Sequence, residues 1–145
     1  MIAKATNEQR QEIISMLQAE NLPVEDLPVV LDNFFVAMEG GKLVGAIGLE
    51  LYGNYGLLRS MVVGKAHRNR NIASQLLQVL EQYAKDKGSN AIYLLTETAS
   101  QYFERKNYRQ VSREDVPNEL QGSSEFSHVC PVTAVVMKKA IQISN

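Results

Sequence analysis

Arg68 and Arg70 stand in a short basic loop, Lys65-Ala66-His67-Arg68-Asn69-Arg70-Asn71. The loop joins an apolar, β-type run ending in Met61-Val62-Val63 to an amphipathic stretch beginning Ile72-Ala73-Ser74. Where a chain turns from strand into helix, the first helical N–H groups point out past the helix start. They have no intrahelical acceptor, and the helix dipole places partial positive charge there, so the position suits an anion. Two arginines beside it add full positive charges. A phosphate is the anion that fits this chemistry best. The competing reading is an ordinary exposed helix start with solvated arginines.

Other reactive side chains make weaker patterns. Cys130 is the single cysteine, which excludes an internal disulfide and any cysteine-rich metal site, and no metal is required. His128 and Cys130 lie near the entry to the last strand, and their spacing supplies neither a third, orienting group nor a recognised elbow for a Cys–His nucleophile pair. His67 reads as a surface residue. The Lys65–Arg70 cluster is not matched by a basic excess elsewhere: 15 Lys and Arg face 16 Asp and Glu, for a net charge of −1. Nucleic acid is therefore not an expected partner. No apolar run approaches a membrane span, and the N-terminus lacks a long apolar leader, so no membrane partner is expected and a cytoplasmic location follows.

The elements that must position the loop are legible from periodicity. At 145 residues the chain is expected to form one domain, 1–145. Thr6 and Gln9 make a capping-box pattern ahead of a helix whose buried stripe is Ile13, Ile14 and Leu17, flanked by Met16. Pro23 and Pro28 frame a short irregular segment. Strands are predicted over 33–39, 43–52 and 55–63, joined by Gly40-Gly41 and Gly53-Asn54 turns. The helix after the basic loop repeats Ile72, Leu76, Leu77, Leu80, Tyr83 and Ala84, and stops near Gly88. A buried strand over 91–95, a short helix over 99–106 and a strand over 108–112 follow. Residues 113–128 read as a long polar loop, and 131–139 as a final strand. This order specifies an α/β chain with a mixed sheet.

The combination resembles the GCN5-related N-acetyltransferases, the GNAT proteins, over nearly the whole length. Leu58-Arg59-Ser60-Met61-Val62-Val63 is similar to that family's fourth strand, and Arg68-Asn69-Arg70-Asn71-Ile72-Ala73 to its Arg/Gln-x-x-Gly-x-Gly/Ala loop. The stretch Thr98-Ala99-Ser100-Gln101-Tyr102-Phe103-Glu104-Arg105-Lys106-Asn107-Tyr108-Arg109 is similar to its helix-to-strand motif, Ala-x-x-Phe-Tyr-x-x-x-Gly-Phe. The resemblance implies a GNAT-like fold, with a mostly antiparallel sheet splayed between the fourth and fifth strands and helices on both faces. It implies acetyl-CoA as cosubstrate. The pyrophosphate would lie on the amides of Arg68, Asn69, Arg70, Asn71, Ile72, Ala73 and Ser74, and the pantetheine arm along Met61, Val62 and Val63. It also implies that an amide near Met61 or Val62 polarises the thioester carbonyl. Leu57-Leu58-Arg59-Ser60, Leu95-Thr96-Glu97-Thr98-Ala99 and Ser124-Glu125-Phe126-Ser127-His128-Val129-Cys130-Pro131 are similar to a subgroup often encoded with arsenic-resistance operons. That similarity implies a small polar amine as substrate.

Two departures bear on mechanism. Asparagine occupies positions 69 and 71, where the family favours glycine for positive φ and close approach to phosphate; asparagine is the best substitute for left-handed backbone. Its side chain either crowds the pyrophosphate or donates to it. Phe103 aligns with a tyrosine that often serves as general acid, and Tyr102, about 100° away around a helix, is a poor stand-in. Tyr102, Phe103 and Tyr108 also read as core aromatics. Glu50 matches a strand position where the family often has a proton-accepting carboxylate, and Glu97, ending the apolar run, is a second candidate. Arg59 either anchors a substrate carboxylate or faces solvent. The expected activity is transfer from acetyl-CoA to a small amine in a ternary complex. The alternative is an acyl-CoA-binding sensor without turnover. Family members are often dimers, and a homodimer paired through the apolar final strand is an option the residues leave open.

Overall fold

Thr6 opens the first helical segment as its sequence pattern requires: its amide donates to Gln9 Oε1 at 2.9 Å in a computed structural model of the chain. The structure describes residues 1–123, 126 and 134–141. A single 3₁₀ turn, Asn7–Gln9, leads into helix α1, Arg10–Ala19, which buries Ile13 and Leu17. Ile14 and Met16 pack at the edge of the same stripe. The strands are β1 (Ile2–Lys4), β2 (Phe34–Glu39), β3 (Lys42–Tyr52), β4 (Tyr55–Val63), β5 (Ala91–Thr96), β6 (Arg109–Val111) and β7 (Val135–Ala140). The remaining helices are α2 (Ile72–Asp86), α3 (Ser100–Arg105) and α4 (Asn118–Gln121). The seven strands form a mixed sheet in the order β1-β2-β3-β4-β5-β7-β6. Strand β4 pairs with β5 in parallel, over Tyr55↔Ala91 to Leu57↔Tyr93, while β5 and β7 are antiparallel.

Two compact units divide the chain, and β3 and β4 each contribute residues to both. Unit one holds Met1–Leu49 and Arg59–Tyr83. Its core gathers Ile13, Leu17, Leu27, Leu31, Phe34, Val36, Leu43, Ala46 and Val62. Two glycines in β3 are there because of close packing. A Cβ at Gly48 would lie 2.5 Å from the buried Phe34 ring, and one at Gly45 would lie 3.1 Å from the Val62 carbonyl oxygen. Helix α2 presses its own stripe on the same place, since Leu76 and Ile72 are the next atoms that a Cβ at Gly45 would meet. Unit two holds Glu50–Leu58 and Ala84–Asn145, with a core of Leu57, Ala91, Tyr93, Val116, Leu120 and Val136.

The structure departs from the sequence expectation in two segments. Residues 113–123 are not simply a loop: they form a 3₁₀ turn, Arg113–Asp115, and then α4. Val116 and Leu120, four residues apart, are both buried and supply the minimum apolar pair that docks this otherwise polar stretch. Residues 2–4, for which the sequence pattern predicts no element, add a strand to the sheet edge, with Ile2 opposite Ala37 and Lys4 opposite Phe35. Three residues are too few to show a period. His128, Cys130 and most of the 124–131 motif lie outside the described residues. Among the described residues no helix is long and apolar enough to cross a membrane.

Candidate functional site

Strand β4 is not regular. Ser60, in its middle, has φ +58°, a left-handed conformation that a serine rarely adopts and that a flat strand does not contain. Such a residue bends the strand as a β-bulge does and re-aims the backbone that follows it, here Met61-Val62-Val63. The bend has a support. Arg59, one residue earlier, is buried with its side chain fully enclosed, and it forms an ion pair with Asp26 at 2.7 Å. Its second terminal nitrogen donates to Asp26 Oδ2 at 2.9 Å and to the Asp26 carbonyl at 3.2 Å. Its Nε donates to Ser60 Oγ at 3.1 Å. Arg59 therefore does not face solvent, and its charge is already matched by a carboxylate of the chain itself. Sequence reading missed Asp26, which lies on the irregular 20–33 stretch with no periodicity to mark it.

Beyond Val63 the chain closes into a tight loop. Gly64 donates to the Val44 carbonyl at 2.9 Å, and a 3₁₀ turn, Lys65–His67, follows. Asn69 and Asn71 both sit in the left-handed region, at φ +65° and +61°. Left-handed backbone of the kind glycine adopts most readily is therefore formed here by two asparagines. The carbonyl of Asn71 accepts the first helical bond of α2, from Gln75 N at 3.0 Å. The amides of Ile72, Ala73 and Ser74 consequently form the helix's first turn, with no carbonyl four residues back inside the helix to receive them. Arg68 reaches back to the Val63 carbonyl at 3.2 Å and pairs with Glu20 at 2.8 Å. Arg70 pairs with Glu39 at 3.1 Å, and His67 approaches the same carboxylate at 3.8 Å. The two arginines are half-exposed and held by carboxylates. Met61, Val62, Val63 and Arg68 to Ser74 all belong to unit one.

The pattern of the acetyltransferase (GNAT) family matches residues 6–110. The chain belongs to the GNAT family. Its matched region runs from Thr6, at the 3₁₀ turn ahead of α1, into β6 and contains the whole loop just described. An uncharacterized N-acetyltransferase of Chlorobaculum tepidum is 28% identical over 98 residues, 67% of this chain; the match spans 63% of that relative's length. Among solved structures, this GNAT chain is similar to a Mycobacterium tuberculosis protein in complex with CoA, with TM-score 0.84 and 20% identity over 98% of this chain and 99% of that one. It is also similar to the N-acetylglutamate synthase of Neisseria gonorrhoeae, complexed with coenzyme A and N-acetyl-glutamate, with TM-score 0.84. That match is 12% identical and covers 98% of this chain and 35% of that one.

In this GNAT chain the two candidate carboxylates belong to unit two. Glu50 is half-buried on β3, and the phenol of Tyr52, two residues on and so on the same face, donates a short hydrogen bond to its Oε1. Glu97 is exposed in the bend after β5, outside the strand, next to Thr96, whose hydroxyl accepts from Ala99 N at 2.9 Å. Tyr52 went unremarked in the sequence, although its two-residue spacing from Glu50 was visible. Phe103 is buried between Tyr102 and Tyr108, with ring centroids 5.4 Å away on both sides, and so is a core aromatic. Burial, with the Tyr55 phenol next in weight, pushes the Tyr93 phenol above its ordinary value of 10.0, so it stays protonated at neutral pH. Among the described residues no group of His, Cys, Asp and Glu is placed to hold a metal.

Proposed function

We propose that this chain transfers the acetyl group of acetyl-CoA to the nitrogen of a small polar amine, within a ternary complex. The observation that carries the reading is the backbone of the loop. Two non-glycine residues, Asn69 and Asn71, hold the positive φ that brings main-chain amides up to a phosphate at a helix start. Arg68 to Ser74 would hold the pyrophosphate, and Met61 to Val63 the pantetheine arm. Arg68 and Arg70 would exchange Glu20 and Glu39 for phosphate oxygens. Exposed ion pairs of this kind contribute only about 0–1 kcal/mol, so a doubly charged ligand displaces them readily.

The chemistry required is modest. Acetyl-CoA supplies an activated thioester. An amide of β4, at Met61 or Val62, polarises its carbonyl, and the amine nitrogen attacks the carbonyl carbon as the C–S bond breaks and CoA leaves as a thiolate. Glu50, directly or through water, accepts the proton that the amine gives up. A thiolate departs without a strong acid, which fits a buried Phe103 in place of a tyrosine. The polar-amine acceptor follows the subgroup resemblance of the Arg59-Ser60 and Glu97-Thr98-Ala99 segments. The same Phe103 supports the second reading, a sensor that binds acyl-CoA without consuming it.

Thermal unfolding with acetyl-CoA, with CoA and ATP as controls, tests the first step. Ligand at 100 times its dissociation constant adds about 2.7 kcal/mol, a plain rise in Tm. Thiol release across a panel of amines then separates the readings. Release dependent on one amine supports the enzyme; binding without release for any amine supports the sensor. No stabilisation by either CoA species overturns both.

A further inference from the structure

Resting on the acetyl-transfer reading, we infer that Arg59 and Asp26 are positioning residues, an ion pair that fixes the bend of β4 and so aims the amide that polarises the thioester. Three observations converge. Ser60 holds φ +58° within a strand, an arrangement that persists only where surrounding contacts over-determine it. Arg59 makes contacts in two directions: Nε to Ser60 Oγ at 3.1 Å, and both terminal nitrogens to Asp26, at 2.7 and 2.9 Å to the carboxylate and 3.2 Å to the carbonyl. The Arg59 side chain is fully enclosed and that of Asp26 nearly so, at 0% and 9% exposure. A buried ion pair is a poor way to gain stability, because a well-packed apolar pair of similar volume is often as stable or more so. What the pair supplies is geometry: a planar guanidinium donates in a fixed fork that sets direction as well as distance.

The segment on the far side of the pair is itself fixed. Arg10 donates to the carbonyls of Leu27, at 3.3 Å, and Pro28, at 2.5 Å. Asp26 therefore presents its carboxylate from an anchored stretch, and Arg59 passes that position to Ser60. An amide displaced by even an ångström from the thioester oxygen loses much of its effect on the transition state. The pyrophosphate loop at 68–74 makes its own contacts and does not draw on the pair.

Three proteins test the inference: wild type, Arg59→Lys, and the double variant Arg59→Met/Asp26→Leu, which leaves no buried charge unmatched. Each is read by Tm, by acetyl-CoA affinity, by the infrared carbonyl band of bound [1-¹³C]acetyl-CoA, and by kcat and KM with the best amine of the panel. Arg59→Lys keeps the charge and the pair with Asp26 but cannot also direct Ser60. The expected result is a double variant and a lysine variant that fold and bind acetyl-CoA within threefold of wild type. In both, the carbonyl band moves back toward that of free acetyl-CoA, and kcat falls tenfold or more at unchanged KM for acetyl-CoA. A folded double variant with the wild-type band and kcat overturns the inference, as does a lysine variant that restores kcat along with Tm. If the double variant does not fold, the lysine variant decides alone. A wild type that binds no acetyl-CoA overturns the acetyl-transfer reading, and the inference with it.

Discussion

Arg70 donates to Glu39 Oε1 at 3.1 Å, across 31 residues of sequence, so the arginine nearest the helix start is occupied by a carboxylate in the free protein. Glu39 thus competes with any phosphate for Arg70, and for His67, which lies 3.8 Å from the same oxygen. Glu39→Gln is expected to tighten acetyl-CoA binding by about two- to fivefold, within the roughly 1 kcal/mol an exposed pair contributes. The gain should shrink as salt is raised, because screening weakens both contacts. Titration calorimetry at two ionic strengths measures it, and a weaker complex would contradict the expectation.

Asn69 and Asn71 carry the loop conformation, and their substitutions separate backbone from side chain. Asn71→Ala places a Cβ at φ +61° without asparagine's local compensation, at a cost of about 1–2 kcal/mol. It is expected to lower Tm and to weaken acetyl-CoA binding about tenfold. Asn71→Gly keeps the conformation and is expected to bind within threefold of wild type. A glycine variant that loses affinity as the alanine variant does would mean that the amide side chain itself contacts phosphate.

The elements that could be read from sequence are those whose pattern repeats within a few residues. Helix α2 presents Ile72, Leu76, Leu77 and Leu80 at helical spacing, and all four are buried. The β2–β3–β4 meander was marked by its turn glycines, Gly40, Gly41 and Gly53, each at positive φ. The basic loop between β4 and α2 was legible because its strand-loop-helix order is local. What was not legible depends on partners far apart in sequence. Nothing about Arg59 or Asp26 alone indicates that they meet across 33 residues, or that a serine between two ordinary strand residues takes a left-handed turn. Likewise Val116 and Leu120 are only two apolar residues in a polar stretch, and tertiary packing, not propensity, makes the short helix there.

Gly48 is a packing position, and adding one carbon there tests the core of unit one. The Cβ of Gly48→Ala would stand 2.5 to 2.8 Å from three atoms of the Phe34 ring, which is 1% exposed and cannot swing into solvent. Overpacking of this kind typically costs about 1–3 kcal/mol. Urea unfolding should show that loss. Phe34→Leu makes room for the new methyl, so the double variant should be more stable than the sum of the single changes by more than about 0.5 kcal/mol. Strict additivity would place the clash elsewhere.

Glu50 and Glu97 differ in surroundings, and the difference predicts which one takes the amine proton. Glu50 is half-buried and receives the Tyr52 hydroxyl, so its carboxylate is held in one orientation by its own strand. Glu97 is exposed in a bend, where a carboxylate is free to stay solvated. General-base catalysis contributes about 10²–10⁴-fold when the group is positioned, and little when it is not. Glu50→Gln is therefore expected to lower kcat about a hundredfold with KM for acetyl-CoA unchanged, while Glu97→Gln stays within threefold of wild type. Tyr52→Phe removes the orienting donor but leaves the base in place, so its kcat should fall by an intermediate factor of about three to ten. Steady-state thiol release on the three variants ranks them. The reverse order for the two glutamates would move the base to the bend after β5 and leave the Tyr52–Glu50 contact a structural one.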